Sequence, residues 1–138
     1  MYKNSDLFMK DLNKIHDRVK KATGLSIKQF RFAGGSSNGF VSDKVFKEIL
    51  VKLKKEGYNY YDWNCSSADA SGIKVKKSKI VRSSTKCKDK SINLLMHDAI
   101  AKTTTVEALP QIIEHYQSRG YVFDVIDENS FQVKHRTK

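Results

Sequence analysis

Short apolar runs alternate with segments of helical period from one end of the chain to the other. This alternation limits the fold more than any other feature. Leu7, Phe8, Leu12, Ile15 and Val19 recur near helical spacing and predict a helix over 6–22. Ser5 is placed to cap it and Gly24 to stop it. Residues 28–32, KQFRF, read as a short strand, and the glycine- and serine-rich AGGSSNG at 33–39 breaks regular structure. Ser42 then caps a second helix with Val45, Phe46, Ile49, Leu50 and Leu53 on its apolar face, ended by Gly57.

The aromatic run Tyr58, Tyr60 and Tyr61 reads as the next strand. A weaker helix is predicted from Lys76 to near Lys86 around Ile80 and Val81. Residues 92–96, INLLM, are nearly all apolar, as suits a strand buried on both faces. Val106, Leu109, Ile112, Ile113 and Tyr116 mark a last helix stopped by Gly120. Pro110 falls inside that pattern, and because proline fits only a first turn the helix is predicted to begin near Leu109. Residues 121–126, YVFDVI, predict another strand, and Phe131 to Val133 a short final one. Strands alternating with helices imply parallel βαβ units with right-handed crossovers. The expectation is a single α/β domain over 1–138, either half of a barrel or a small open sheet.

Composition narrows the function classes. With 39% apolar residues and one proline the chain can bury a core. No apolar run approaches the roughly 20 residues that span a bilayer. The N-terminal MYKNSDLFMK has no apolar signal core, and location stays open. Cys65 and Cys87 form no metal pattern and are too few for a disulfide framework, so they read as incidental. The net charge of +11 could steer the protein to nucleic acid, an anionic wall or a lipid surface. Its lysines are spread over helix-like segments, with no arginine-rich arm and no nucleic-acid readout motif.

The chemistry-bearing residues fall at the ends of the predicted strands. Arg31 ends the first, Asp62-Trp63 the second and His97-Asp98 the third. In parallel α/β architectures such ends share one rim. His97 is either a general acid or base near neutral pH or a satisfied histidine in a turn. Arg31 and Asp62 read as a pair that orients a substrate or as a structural salt bridge. Trp63 reads as the wall of a pocket or as a plug in the core. The Gly34–Asn38 loop offers backbone donors without the spacing or lysine of a P-loop. His16, His115 and His135 have no ligand spacing, so no metal triad is expected from this chain.

Taken together, FRFAGGSSN at 30–38, YYDWNCSSADAS at 60–71, LLMHD at 94–98 and TVEALPQIIEHYQSRGYVF at 105–123 resemble the C-terminal half of polysaccharide deacetylases, the NodB-homology domain of carbohydrate esterase family four. The resemblance implies a partial (β/α) barrel of about four to five mostly parallel strands with flanking helices. It also implies hydrolytic removal of N-acetyl groups from peptidoglycan- or chitin-type sugars. Complete members use zinc or another divalent metal held by an aspartate and two histidines, with a neighbouring aspartate as base. By resemblance, Arg31 orients that base and Asp62 tethers Arg31. Trp63 walls the acetyl pocket, Leu95 lines the groove, His97 is the acid toward the leaving amine, and Asp98 supports His97. Ala33 stands where the family has proline. The motifs that would supply base and metal ligands, an Asp-Asp pair and a His-Ser-x-x-His segment, do not occur in this sequence. The expectation is a truncated domain, without a metal of its own and inactive alone, whose open edges are covered by a homodimer, by a missing N-terminal half, or by its own helices closing over the gap of an open sheet. The alternative is a non-catalytic module for glycan or anionic wall polymer; a nucleic-acid role would rest on charge alone.

Overall fold

The computed structural model describes residues 3–138. The chain gathers into two compact units, one running through Asp62 and taking in Ile126–Lys138, the other comprising Trp63–Val125.

The first unit opens with helix α1, Ser5–Thr23. Its cap is Asn4 and not Ser5: the Asn4 side chain accepts from the Leu7 amide, and Ser5 is buried with its hydroxyl donating to Glu48. Gly24 ends α1 in the left-handed conformation, φ 76°, with its amide on the Lys20 carbonyl, which is the stop the sequence announced. Strand β1, Gln29–Phe30, pairs in parallel with β2, Asn59–Tyr60. Between them, α2, Asp43–Lys55, starts at its Ser42 cap and packs on α1. Phe8, Leu12, Phe32, Phe46, Ile49 and Tyr60 are the heart of this core, and Phe46 and Ile49 are fully buried. Phe32 stacks on Phe8 at 5.3 Å and meets Tyr60 edge-on at 5.1 Å. Such aromatic pairs add about 0.5–1.5 kcal/mol beyond the apolar area they bury.

The second unit has its own core. Strand β3, Cys65–Ser66, pairs in parallel with β4, Leu94–Leu95. Helix α3, Lys77–Ser84, packs against α4, Thr103–Gln117, through Ile80, Ala108, Ile112 and Tyr116. The Tyr116 hydroxyl donates to the Ser84 carbonyl at 2.5 Å, tying the two helices at their ends. Cys65 and Cys87 form a disulfide, which corrects their reading as incidental thiols.

Two further expectations change. Helix α4 runs straight through Pro110 and does not begin at Leu109. Pro110 is solvent-exposed, and so is Val106, whose carbonyl loses its helical donor. The broken bond therefore faces water, where it costs least. The YVFDVI run forms no strand: residues 121–127 are irregular, with Val122 90% and Val125 76% exposed. β-branched residues favour a strand only when a neighbouring strand supplies ladder partners and cover, and the described sheets end at β1-β2 and β3-β4. Phe131 to Val133 likewise stay irregular, although the Val133 carbonyl accepts the Asp62 amide at 2.7 Å. Among the described residues no helix is long and apolar enough to cross a membrane.

Candidate functional site

Each unit holds part of the polar constellation expected from the sequence. In the first unit, the chain leaves β1 at Arg31 and turns through Gly34 and Gly35, both at positive φ (76° and 81°). A side chain at Gly34 would also press on Asn38, 3.3 Å from its Cβ. This turn presents Ser36 to Asp62, which the chain reaches just beyond β2. Asp62 and Ser36 are buried. The Ser36 amide donates to Asp62 Oδ1 at 2.8 Å, the Ser36 hydroxyl donates to Oδ2, and the His135 amide donates to Oδ2 at 2.8 Å. The Arg136 amide reaches the Ser36 hydroxyl oxygen at 3.0 Å. A buried carboxylate with this many donors is held in a fixed place. Arg31 donates from Nη1 to the Phe32 carbonyl at 3.3 Å. Beneath this network the Tyr60 hydroxyl donates to the Arg136 carbonyl. Burial first, and then the Asp62 charge, push that hydroxyl up to about 12. Ser36 and the His135 amide were not legible as partners of Asp62, because 26 and 73 residues separate them from it.

In the second unit the ordering group is His97, just past β4. Its Nδ1 lies 2.9 Å from Asp69 Oδ1, and its amide donates to Asp69 Oδ2 at 2.8 Å. The Thr105 hydroxyl adds a third contact to Oδ2 at 3.2 Å. Asp69 is buried, and burial pushes its carboxyl up. The hydrogen bonds from the His97 ring and amide, and from Ser67, outweigh burial and hold it below its ordinary value. Asp69 is therefore ionised at neutral pH and can only accept, so His97 Nδ1 carries the proton that joins them. Nε2 is the other nitrogen of the ring, on a side chain 34% exposed. Lys102 closes the loop by donating to the Asp69 and Gly72 carbonyls at 2.6 and 2.5 Å. Ala68, immediately before Asp69, sits at φ 58°, a left-handed position that costs a residue with a side chain about 1–2 kcal/mol.

The structure gives the support of His97 to Asp69; Asp98, the residue expected there, is exposed. The motif match suggested Asp98; the ring instead meets Asp69, which arrives from the loop after β3. Trp63 and Leu95 are half-buried. Among the described residues no three His, Cys, Asp or Glu side chains gather as a metal ion needs.

Parallel strand pairs, the helices between them and a carboxylate-oriented histidine just past one strand are those of an α/β protein. No protein-family profile matches the chain. Its relatives are more informative. YheN of Bacillus subtilis, which carries the name of a polysaccharide deacetylase, is 24% identical over 130 residues, 91% of this chain and 43% of that protein. A bifunctional xylanase/deacetylase of Pseudobutyrivibrio xylanivorans is 28% identical over 110 residues, 80% of this chain and 16% of that protein. Among solved structures, the catalytic domain of the peptidoglycan N-acetylglucosamine deacetylase of Eubacterium rectale superposes with a TM-score of 0.87 at 28% identity, covering 99% of this chain and 64% of that one. The resemblance to polysaccharide deacetylases, first carried by the motifs, thus holds in the relatives and in the fold. The chain spans less than half the length of the curated relatives it matches.

Proposed function

We propose that this chain carries the leaving-group side of a polysaccharide N-deacetylase. The observation that carries the reading is the His97–Asp69 pair in a fold shared with a peptidoglycan N-acetylglucosamine deacetylase. In this reading the doubly protonated ring of His97 gives its Nε2 proton to the amine nitrogen as the amide C–N bond breaks. Asp69 keeps the other proton on Nδ1 and stabilises the cationic ring before transfer. Trp63 walls the acetyl group, Leu95 lines the groove, Asp62 tethers Arg31, and Arg31 orients the base; these four assignments follow the motif match. Base and metal ligands belong to motifs absent from these 138 residues. The metal, when present in a complete site, supplies an activated water. This chain alone is then inactive.

The test is acetate release from an N-acetylglucosamine oligomer in the presence of zinc. The chain alone should release none. Fused to the N-terminal portion of a relative such as YheN it should gain activity, and His97→Gln in the fusion should lower that activity by about 10²–10⁴-fold. Acetate released by the unfused chain would overturn the incompleteness. A fusion whose activity ignores His97→Gln would overturn the role of the pair. A second reading, a non-catalytic module for glycan or anionic wall polymer, draws on one observation: the crowding of exposed cations between Lys74 and Lys90.

A further inference from the structure

Charge in the second unit is segregated along the chain. Between Lys74 and Lys90 stand eight basic residues and a single acid, Asp89. Outside that segment the same unit carries Lys102 and Arg119 against Asp69, Asp98, Glu107, Glu114 and Asp124. All eight basic side chains are exposed. Among the described residues none of them is joined to a carboxylate: the ion pairs found are His16–Asp17, Lys52–Asp6, His97–Asp69 and Arg136–Asp43. Lys79 meets only the Ser71 hydroxyl, at 3.0 Å.

The segment is also fixed in place. Ile80 and Ser84 of α3 are fully buried, which turns Lys79 and Arg82 on the opposite side of the helix outward. Beyond α3 the disulfide fastens Cys87 to Cys65, so Lys86 and Lys88 flank an anchored residue. Cations at this density repel one another, and folding gains nothing from collecting them without counter-charges. A multivalent anion resolves that repulsion.

We infer that residues 74–90 form a docking surface for an acidic polysaccharide. The inference is independent of deacetylation, since it concerns charge along a sugar polymer and no reacting bond. Seven of the eight cations are lysines, compact point charges that meet spaced carboxylates without demanding one orientation. Nucleic acid fits less well, because the segment holds no aromatic side chain to stack on a base and one arginine to fork onto it. A lipid surface also fits less well, because between 74 and 90 no large apolar side chain is exposed to enter it. The disulfide suits an oxidising environment, where extracellular polysaccharides are the accessible polyanions.

The experiment measures binding of the whole chain to polygalacturonate, to neutral dextran of equal length, to a single-stranded DNA oligomer and to phosphatidylglycerol vesicles. Polygalacturonate should bind, and its affinity should fall about tenfold or more between roughly 50 and 200 mM salt. Replacing Lys86, Lys88 and Lys90 together by Gln should weaken binding by about tenfold, while Arg at the same positions should preserve it. Gln at Lys10, Lys14 and Lys44 of the first unit should change it by less than about twofold, with folding of every variant checked by circular dichroism. No binding, equal binding to dextran, tighter binding to DNA or vesicles, or equal weakening by the first-unit variant would each overturn the inference.

Discussion

Asp69 is the residue on which most of the local order turns. Its carboxylate receives the His97 ring, the His97 amide and the Thr105 hydroxyl. Because its folded value lies below the ordinary 3.8, the stability it contributes is complete above that pH and is lost as pH falls through the lower folded value. Asp69→Asn should cost about 1–3 kcal/mol, the usual penalty for breaking a buried charge-assisted network, as read by denaturant unfolding at neutral pH. It should also reverse the ring. An amide NH₂ placed against Nδ1 makes that nitrogen an acceptor and moves the neutral ring's proton to Nε2. Nitrogen NMR of the imidazole reads this directly, and an unchanged tautomer would remove Asp69 from its positioning role.

At the level of elements, the two strand-like runs that flank α4 behave differently for one reason. INLLM lies beside β3: β4 pairs with it, and the Asn64, Cys65 and Ser67 amides all bond to Asn93 or Leu95 carbonyls. YVFDVI has the stronger β composition and forms no strand. Its first residue is anchored, with the Tyr121 hydroxyl on the Asp89 carbonyl at 2.7 Å, and exposure then rises to 90% at Val122. Hydrogen exchange should follow pairing, not propensity. The Cys65 and Ser67 amides should exchange at least about tenfold more slowly than those of Val122 and Phe123. Equal protection would mean that 121–126 finds a ladder in solution.

For the whole molecule, the separate cores of the two units make a definite statement about the disulfide. Cys65–Cys87 closes a loop with a sequence separation of 22 residues inside the second unit. Chain entropy assigns such a loop about 3 kcal/mol. Replacing both cysteines by Ser should lower stability by about that much. Amide protection should fall in α3 and α4 and persist in α1 and α2, whose packing runs through Phe8, Phe46 and Ile49. A uniform loss of protection would show that the two cores unfold as one.

The sequence by itself determined where the four helices lie, apart from the start of α4, and the strands β1, β2 and β4 with their polar tips, but not β3. Periodicity, the Ser42 cap, the Gly24 stop and the apolar INLLM run act through neighbours a few residues away, where local physics is sufficient. The strand ends marked Arg31, Asp62, Trp63, His97 and Asp98, and the motif resemblance to polysaccharide deacetylases added their expected roles and Leu95. Only the tertiary structure decided which carboxylate meets His97, which groups hold Asp62, that two cysteines join, and that YVFDVI goes without a strand. Each of those depends on groups brought together over tens of residues. Their pairing is fixed by the packing of two separate cores and leaves no trace in local spacing.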